Sequence, residues 1–317
     1  MAVRRPTGIH WSLHYACSHS RAGDPAPNLP RRRRMVVTLQ ANLRGMTTLS
    51  MNEVSTYRWS LEEDVQRFAA AGYEGIGVWR PKLSDYGEEA AVDLLVESGL
   101  RVTNVLSAGG FTGSDGRSAD ESIQDALQAI RLAGALGAGC LVIYPGGRNN
   151  HIYRHAERLL CGALDKLLDY ASDADVTLAI EPMHAACAVN WTFLTDVEAA
   201  LELVERYKTP LLKLVFDTYH FGHDQSVLSD LSSLAPHIAV VHLGDRVEAH
   251  GEDQDRRPLG EGKLRLADTI RALLDAGYAG DFDVELFGRS IEPSCYEELL
   301  SSSLEYFERA VSTVSGS

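Results

Sequence analysis

The sequence predicts an α/β protein folded as a (β/α)8 TIM barrel, a single domain preceded by a disordered basic N-terminal extension. Three observations lead there. Short apolar runs alternate with amphipathic stretches eight times from Met46 onward. Runs such as Leu141-Val142-Ile143 and Ile238-Ala239-Val240-Val241 are apolar on both faces, as parallel strands covered by helices require. Eight such units in about 270 residues fit a barrel better than an open doubly wound sheet, and the first βα turn has no G-x-G-x-x-G to support a dinucleotide fold.

The elements follow in order. Thr47–Met51 is the first strand. Ser60 then caps a helix, and Glu63 three residues later completes a capping box. Leu61, Val65, Phe68 and Ala69 keep helical spacing and Gly72 ends the helix. Gly75–Trp79 is the second strand, followed by a helix over 86–98 closed at Gly99. Arg101–Ser107 precedes a helix over 118–136, and Cys140–Tyr144 one over 152–172. Val176–Glu181 leads to a helix over 195–206, and Leu211–Asp217 to one over 226–234. Ile238–His242 is followed by a helix over 263–276, and Asp281–Glu285 by one over 293–312. Gly109-Gly110 and Gly146-Gly147 read as βα turns rather than phosphate cradles, and Gly260 and Gly262 as a tight loop closing over the site.

Composition narrows the function. The 317 residues are 45% hydrophobic and 23% charged, ordinary for a globular chain. No run approaches the ~20 apolar residues that span a bilayer, so no membrane association is expected. The net charge of −14 argues against a nucleic-acid partner, which wants a basic surface. It fits a small neutral substrate. The charge is uneven: residues 1–35 carry seven arginines against Asp24 alone, leaving 23 basic and 43 acidic residues in the remainder. That front segment has no apolar core for a secretory signal. A transit peptide is conceivable, but a disordered extension over residues 1–45 is the preferred reading, with Met35 and Met46 as candidate true starts. The barrel domain then spans 46–317. Five cysteines without a C-x-x-C pair suggest reduced thiols in a cytoplasm rather than disulfides or a thiolate zinc site.

The chemistry gathers at strand ends, where a barrel places its active site. The fifth strand ends L-A-I-E at Glu181, the sixth L-V-F-D at Asp217, the seventh A-V-V-H at His242 and the eighth D-V-E at Glu285. Any one of these residues is more readily a salt-bridge or capping group than a ligand. Four at successive strand ends favour one divalent cation held by three carboxylates and an imidazole, since buried charges need partners. The oxygen-rich set suits Mn²⁺ first, or Mg²⁺, with Co²⁺ or Zn²⁺ as alternatives.

The segments I-E-P-M-H (180–184), F-D-T-Y-H (216–220), V-H-L-G-D-R (241–246), P-L-G-E-G (258–262) and D-V-E-L-F-G (283–288) resemble the sugar phosphate isomerase/epimerase superfamily, the xylose isomerase-like TIM barrels. W-S-L-E-E-D-V (59–65) and A-G-Y-E-G-I-G-V-W-R (71–80) resemble that superfamily's first βα unit. The likeness covers about 46–312 and is specific for fold and metal site, less so for substrate. It implies that Glu181, Asp217, His242 and Glu285 hold the metal and that His220 and Arg246 touch substrate. It further implies that Glu181 and Glu285 exchange a proton with the carbon beside a metal-polarised carbonyl, through an enediolate. His184 is a second candidate base, or a loop histidine bonding backbone. Trp79, with Arg80, either stacks on the substrate or packs at the barrel rim.

The expected function is therefore a metal-dependent sugar isomerase or epimerase, with a homo-oligomer as the expected assembly. Two alternatives share the motifs. The catalytic subunit of bacterial C-glycoside deglycosidases would use His184 to start cleavage of a C–C bond in a 3-oxo-glycoside, and would work with a small β-rich partner subunit. An endonuclease IV-like nuclease would need histidines at the ends of strands two to four, where Val78-Trp79, Leu106-Ser107-Ala108 and Ile143-Tyr144-Pro145 stand instead.

Overall fold

Eight parallel strands close on themselves in chain order in the computed structural model. Its described residues are 47–312, apart from 248 and 252. The basic extension, and with it the expected disorder over 1–45, lies outside them. The strands are β1 (Leu49–Asn52), β2 (Gly75–Trp79), β3 (Arg101–Gly109), β4 (Cys140–Tyr144), β5 (Leu178–Ile180), β6 (Leu212–Asp217), β7 (Ile238–Leu243) and β8 (Asp281–Val284). β8 closes the ring on β1, with Ser50 opposite Asp283.

Period-two alternation sorts the strand residues into two apolar layers. Cys140, Val142, Ala179, Val215 and Val240 pack with Leu106 in one buried cluster inside the barrel. Their neighbours Leu141, Ile143, Leu178, Ile180, Leu214, Phe216, Val241 and Leu243 join the larger cluster that meets the helices. This is why β4 and β7 read as apolar on both faces.

The first helix begins where its cap predicts. Ser60 Oγ accepts the Glu63 N–H while Glu63 Oε2 accepts the Ser60 N–H, opening α1 (Leu61–Ala71). The helix expected over 86–98 is α3 (Glu88–Ser98), and an additional one, α2 (Arg80–Tyr86), precedes it and ends at Gly87. Pro81 lies in the first turn of α2, where its missing N–H leaves no bond unmade. Next come α4 (Ala119–Leu136), α5 (Tyr153–Asp173) and α6 (Val197–Tyr207). After β6 comes an additional short helix, α7 (Thr218–Phe221), and the single helix expected over 226–234 is replaced by two, α8 (Gln225–Ser229) and α9 (Leu231–Leu234). Asp217 and Asp224 accept backbone N–H groups at the starts of α7 and α8, so capping side chains set where these two begin. The helix expected over 263–276 starts later, as α10 (Leu266–Asp275), and α11 (Tyr296–Ser312) completes the ring.

Candidate metal centre at the barrel mouth

Alternation along the strands carries the site. Ala179, Val215, Val240 and Asp283 face the barrel interior, so the residues two further on, Glu181, Asp217, His242 and Glu285, face it one step nearer the C-terminal mouth. All four are buried, and one ligand-capable atom from each lies within 4.8 Å of the others. Asp217 ends β6 and His242 lies in β7 beside it in register. Glu181 and Glu285 stand one residue past β5 and β8 rather than within them. Their backbones still hold to the sheet, through Glu181 N–H to Ile143 O at 3.2 Å and Glu285 N–H to Leu243 O at 3.0 Å.

The polar atoms of this group are incompletely paired. His242 Nδ1 lies 3.3 Å from Glu285 Oε2 and 3.9 Å from Glu181 Oε2. Even so, Glu181 Oε2, Glu285 Oε2 and both ring nitrogens of His242 lack a hydrogen-bond partner. Buried polar atoms are ordinarily satisfied, and a divalent cation among three carboxylates and an imidazole would satisfy these. Burial pushes the Glu181 carboxyl up to about 8 despite His242 beside it. Burial works against a charged His242, but Glu285, Glu181 and Asp283 overcome it and hold the ring up at about 10. These are the marks of negative charge crowded into a dry site.

Two residues that sequence reasoning did not single out complete the centre. Arg256, in the long loop after β7, is buried with its Nη2 2.7 Å from Asp217 Oδ2 and 3.0 Å from Glu285 Oε2. Its guanidinium also donates to the Glu285 carbonyl and lies against the Phe287 ring. Asp283, beneath the centre, accepts from Ser50 Oγ, Asn52 Nδ2 and Asn104 Nδ2, and its Oδ2 is 3.9 Å from His242 Nε2. That carboxylate adds to the negative charge facing His242.

Around the mouth stand the remaining expected residues. His220, on α7, is fully buried with neither ring nitrogen hydrogen-bonded, and its Nε2 is 3.8 Å from Asp217 Oδ2. Arg246 follows β7 and is half-buried. His184 is half-buried, accepts the Ala186 N–H at Nδ1 and stacks on His250. Trp79 lines a cleft on the β2–β4 side with Leu106, Tyr144 and Trp191, whereas Arg80 is held in the wall by Asp125 and the Ser107 carbonyl. Burial and then the Glu181 and Glu285 charges push the Tyr144 phenol up, so this cleft adjoins the metal centre. β2, β3 and β4 end in Trp79, Gly109 and Tyr144, with no histidine of the kind a trinuclear nuclease centre needs. Gly109 serves packing: a Cβ there would sit 1.8 Å from the Tyr144 carbonyl oxygen. The Gly260–Gly262 loop is tied down, since Asp245 accepts the N–H groups of Gly260, Gly262 and Leu264.

The chain is thus a closed parallel barrel with a carboxylate–histidine group at its C-terminal mouth. The chain belongs to the xylose isomerase-like TIM barrel family, whose model matches residues 65–309. It is 25% identical over 276 residues to an inosose isomerase of Bacillus velezensis, covering 83% of this chain and 97% of that one. It is also 25% identical over 215 residues to an L-ribulose-5-phosphate 3-epimerase of Escherichia coli O1:K1 / APEC, covering 66% of this chain and 72% of that protein. The crystal structure of the IOLI protein with a zinc atom bound superposes with a TM-score of 0.73 at 22% identity, over 84% of this chain and 99% of that one. That likeness speaks to the fold. Among the described residues no helix is long and apolar enough to cross a membrane.

Proposed function

We propose that the protein is a divalent-metal-dependent sugar isomerase or epimerase that transfers a proton at the carbon beside a carbonyl. The observation that carries this reading is the convergence of Glu181, Asp217, His242 and Glu285 with orphaned, buried ligand atoms at the barrel mouth. The isomerases and epimerases among its relatives support it. Glu181, Asp217, His242 and Glu285 would hold the cation, Mn²⁺ first among candidates. When bound, it polarises a carbonyl and the neighbouring hydroxyl and so acidifies the hydrogen between them. Glu181, after β5, and Glu285, after β8, would take and return that proton. His220 and Arg246 bind sugar oxygens, Trp79 covers a sugar face, and His184 assists. The protein acts in the cytoplasm as a homo-oligomer.

The test is incubation of the Mn²⁺-loaded protein in D₂O with ketoses, inososes and 3-oxo-C-glycosides, read by NMR. Deuterium at the carbon next to the carbonyl is expected. A panel returned without exchange or product sinks the proposal. A second reading, a C–C lyase acting on 3-oxo-glycosides with a small β-rich partner subunit, is favoured by one feature, the aromatic cleft of Trp79, Tyr144 and Trp191 beside the centre. There His184 is the base, and the aglycone is released. His184→Gln with metal bound separates the two. A loss under about tenfold fits epimerisation, whereas a loss near a thousandfold, within the ~10²–10⁴ that a general base supplies, fits the lyase.

A further inference from the structure

A second group of metal-capable side chains lies outside the carboxylate centre. His184 follows β5, His223 follows α7 and His250 lies in the loop between β7 and α10. One nitrogen from each lies within 4.8 Å of the others. His184 and His250 stack with centroids 3.8 Å and planes 13° apart. His223 is 4.9 Å from His250 and 6.1 Å from His184, centroid to centroid. His250 Nε2 lies 2.8 Å from the Tyr219 carbonyl. That contact makes Nε2 the donor and leaves Nδ1 as a lone pair, the backbone-anchored arrangement of metal-ligating histidines.

We propose that His184, His223 and His250 form a second cation site, selective for Zn²⁺, Co²⁺ or Ni²⁺ over Mn²⁺ and Mg²⁺. Three imidazoles without a carboxylate make a borderline donor set, which the harder ions bind poorly. Zinc takes imidazole nitrogen at ~2.0–2.1 Å, so the nitrogens must draw in by about an ångström and the stacked pair must open. His184 has a contact to give up, the Ala186 N–H at 3.3 Å. His223 is exposed and on a short turn, which leaves it room to swing. Burial and the Arg246 charge hold all three rings below the usual imidazole range, His250 at about 4, so they are neutral and ready to ligate at neutral pH. Arg246 opposes a bare cation here, and the fourth ligand is therefore an anion or hydroxide. An ion in this site withdraws His184 from any substrate. The site uses none of the four residues of the carboxylate centre and does not depend on the reaction assigned to it.

Metal-stripped full-length protein is dialysed in parallel against Zn²⁺ and Mn²⁺, and bound metal is counted by elemental analysis. Two Zn²⁺ and one Mn²⁺ per chain are expected. His223→Ala and His250→Ala should each lose one Zn²⁺ and keep the Mn²⁺. In Asp217→Asn one Zn²⁺ should remain while Mn²⁺ is lost. Zinc that depends on His223 and His250 supports the site whether or not Mn²⁺ binds at the carboxylates, so failure of the carboxylate centre is read separately. A single Zn²⁺ in the wild type, lost with Asp217→Asn and kept in His223→Ala, overturns the proposal. Two Zn²⁺ retained in the His223→Ala, His250→Ala double variant also overturn it.

Discussion

Arg256 makes the sharpest test of how the centre balances its charge. Its buried guanidinium bridges Asp217 Oδ2 at 2.7 Å and Glu285 Oε2 at 3.0 Å, and His242 Nδ1 lies 3.3 Å from Glu285 and 3.9 Å from Glu181. Arg256→Met keeps much of the packing against Phe287 while leaving two buried carboxylates short of a partner. Removing one member of a buried ion pair costs ~3–5 kcal/mol. For a chain of this size each kcal/mol shifts Tm by about 2 °C, so the metal-free variant should melt ~6–10 °C below the wild type in a calorimeter. Arg256→Lys, which retains the charge, should lose less. A divalent cation supplies the charge that Met removes, so saturating Mn²⁺ should raise the Tm of Arg256→Met more than that of the wild type. Stabilisation at a hundredfold excess over Kd is ~2.7 kcal/mol, well within the range of the assay. A metal-free loss under 2 °C, or a metal-induced rise no larger than in the wild type, refutes the reasoning.

Three further outcomes follow from the same geometry. Asp217→Asn removes an anionic ligand, and bound Mn²⁺ by elemental analysis should fall well below one per chain; full occupancy in both Asp217→Asn and His242→Ala would place the ion elsewhere. Gly262→Ala puts a Cβ 2.0 Å from Asp245 Oδ1, the carboxylate that ties down the loop. Overpacking of this kind costs ~1–3 kcal/mol, and an unchanged urea midpoint would mean that the loop yields freely. Burial raises Asp281 to about 6 although Arg101 opposes the shift, against ~3.9 in an unfolded chain. Between those values the folded state holds a proton that the unfolded state has lost, so this group's contribution to stability falls as pH rises from about 4 to 6, by up to ~3 kcal/mol. Wild-type stability relative to Asp281→Asn should decline across that window, and a flat difference would contradict it.

The centre was legible in the sequence because strand periodicity and strand ends are local properties. Ala179 two before Glu181, Val215 two before Asp217 and Val240 two before His242 point the ligands inward once the strands are placed. Arg256 was not legible. It sits in the run E-D-Q-D-R-R, which reads as a solvated charged loop. Only the tertiary path of that loop, which bridges back between Asp245 and Arg257, brings one of its charges into the barrel. His223 and His250 were hidden likewise, because nothing in their spacing relates them to His184. The unexpected α2 is a different case: seven residues starting at the strand end are too short for a helical apolar period to show, and Pro81 fits its first turn.

β8 shows how one strand both closes the barrel and charges it. In D-F-D-V-E, Phe282 and Val284 join the apolar layer under the helices, and Asp281, Asp283 and Glu285 all turn the other way. Three buried carboxylates on one face of one strand are tolerated because each is met differently. Asp281, at the N-terminal end, pairs with Arg101 at 2.8 Å and takes the Thr48 N–H. Asp283, in the middle, is met by the neutral donors Ser50, Asn52 and Asn104 from β1 and β3. Glu285, at the mouth, has Arg256 and His242 beside it and an Oε2 that no hydrogen bond satisfies. Pairing is thus complete at the floor, adequate at mid-height and deficient at the top. A cation drawn into the barrel would find its unmet carboxylate oxygens at the mouth, where Glu181 adds another. The lower two rungs are tied to β1 and β3 by Arg101, Ser50, Asn52 and Asn104, and so hold β8 in place beneath it.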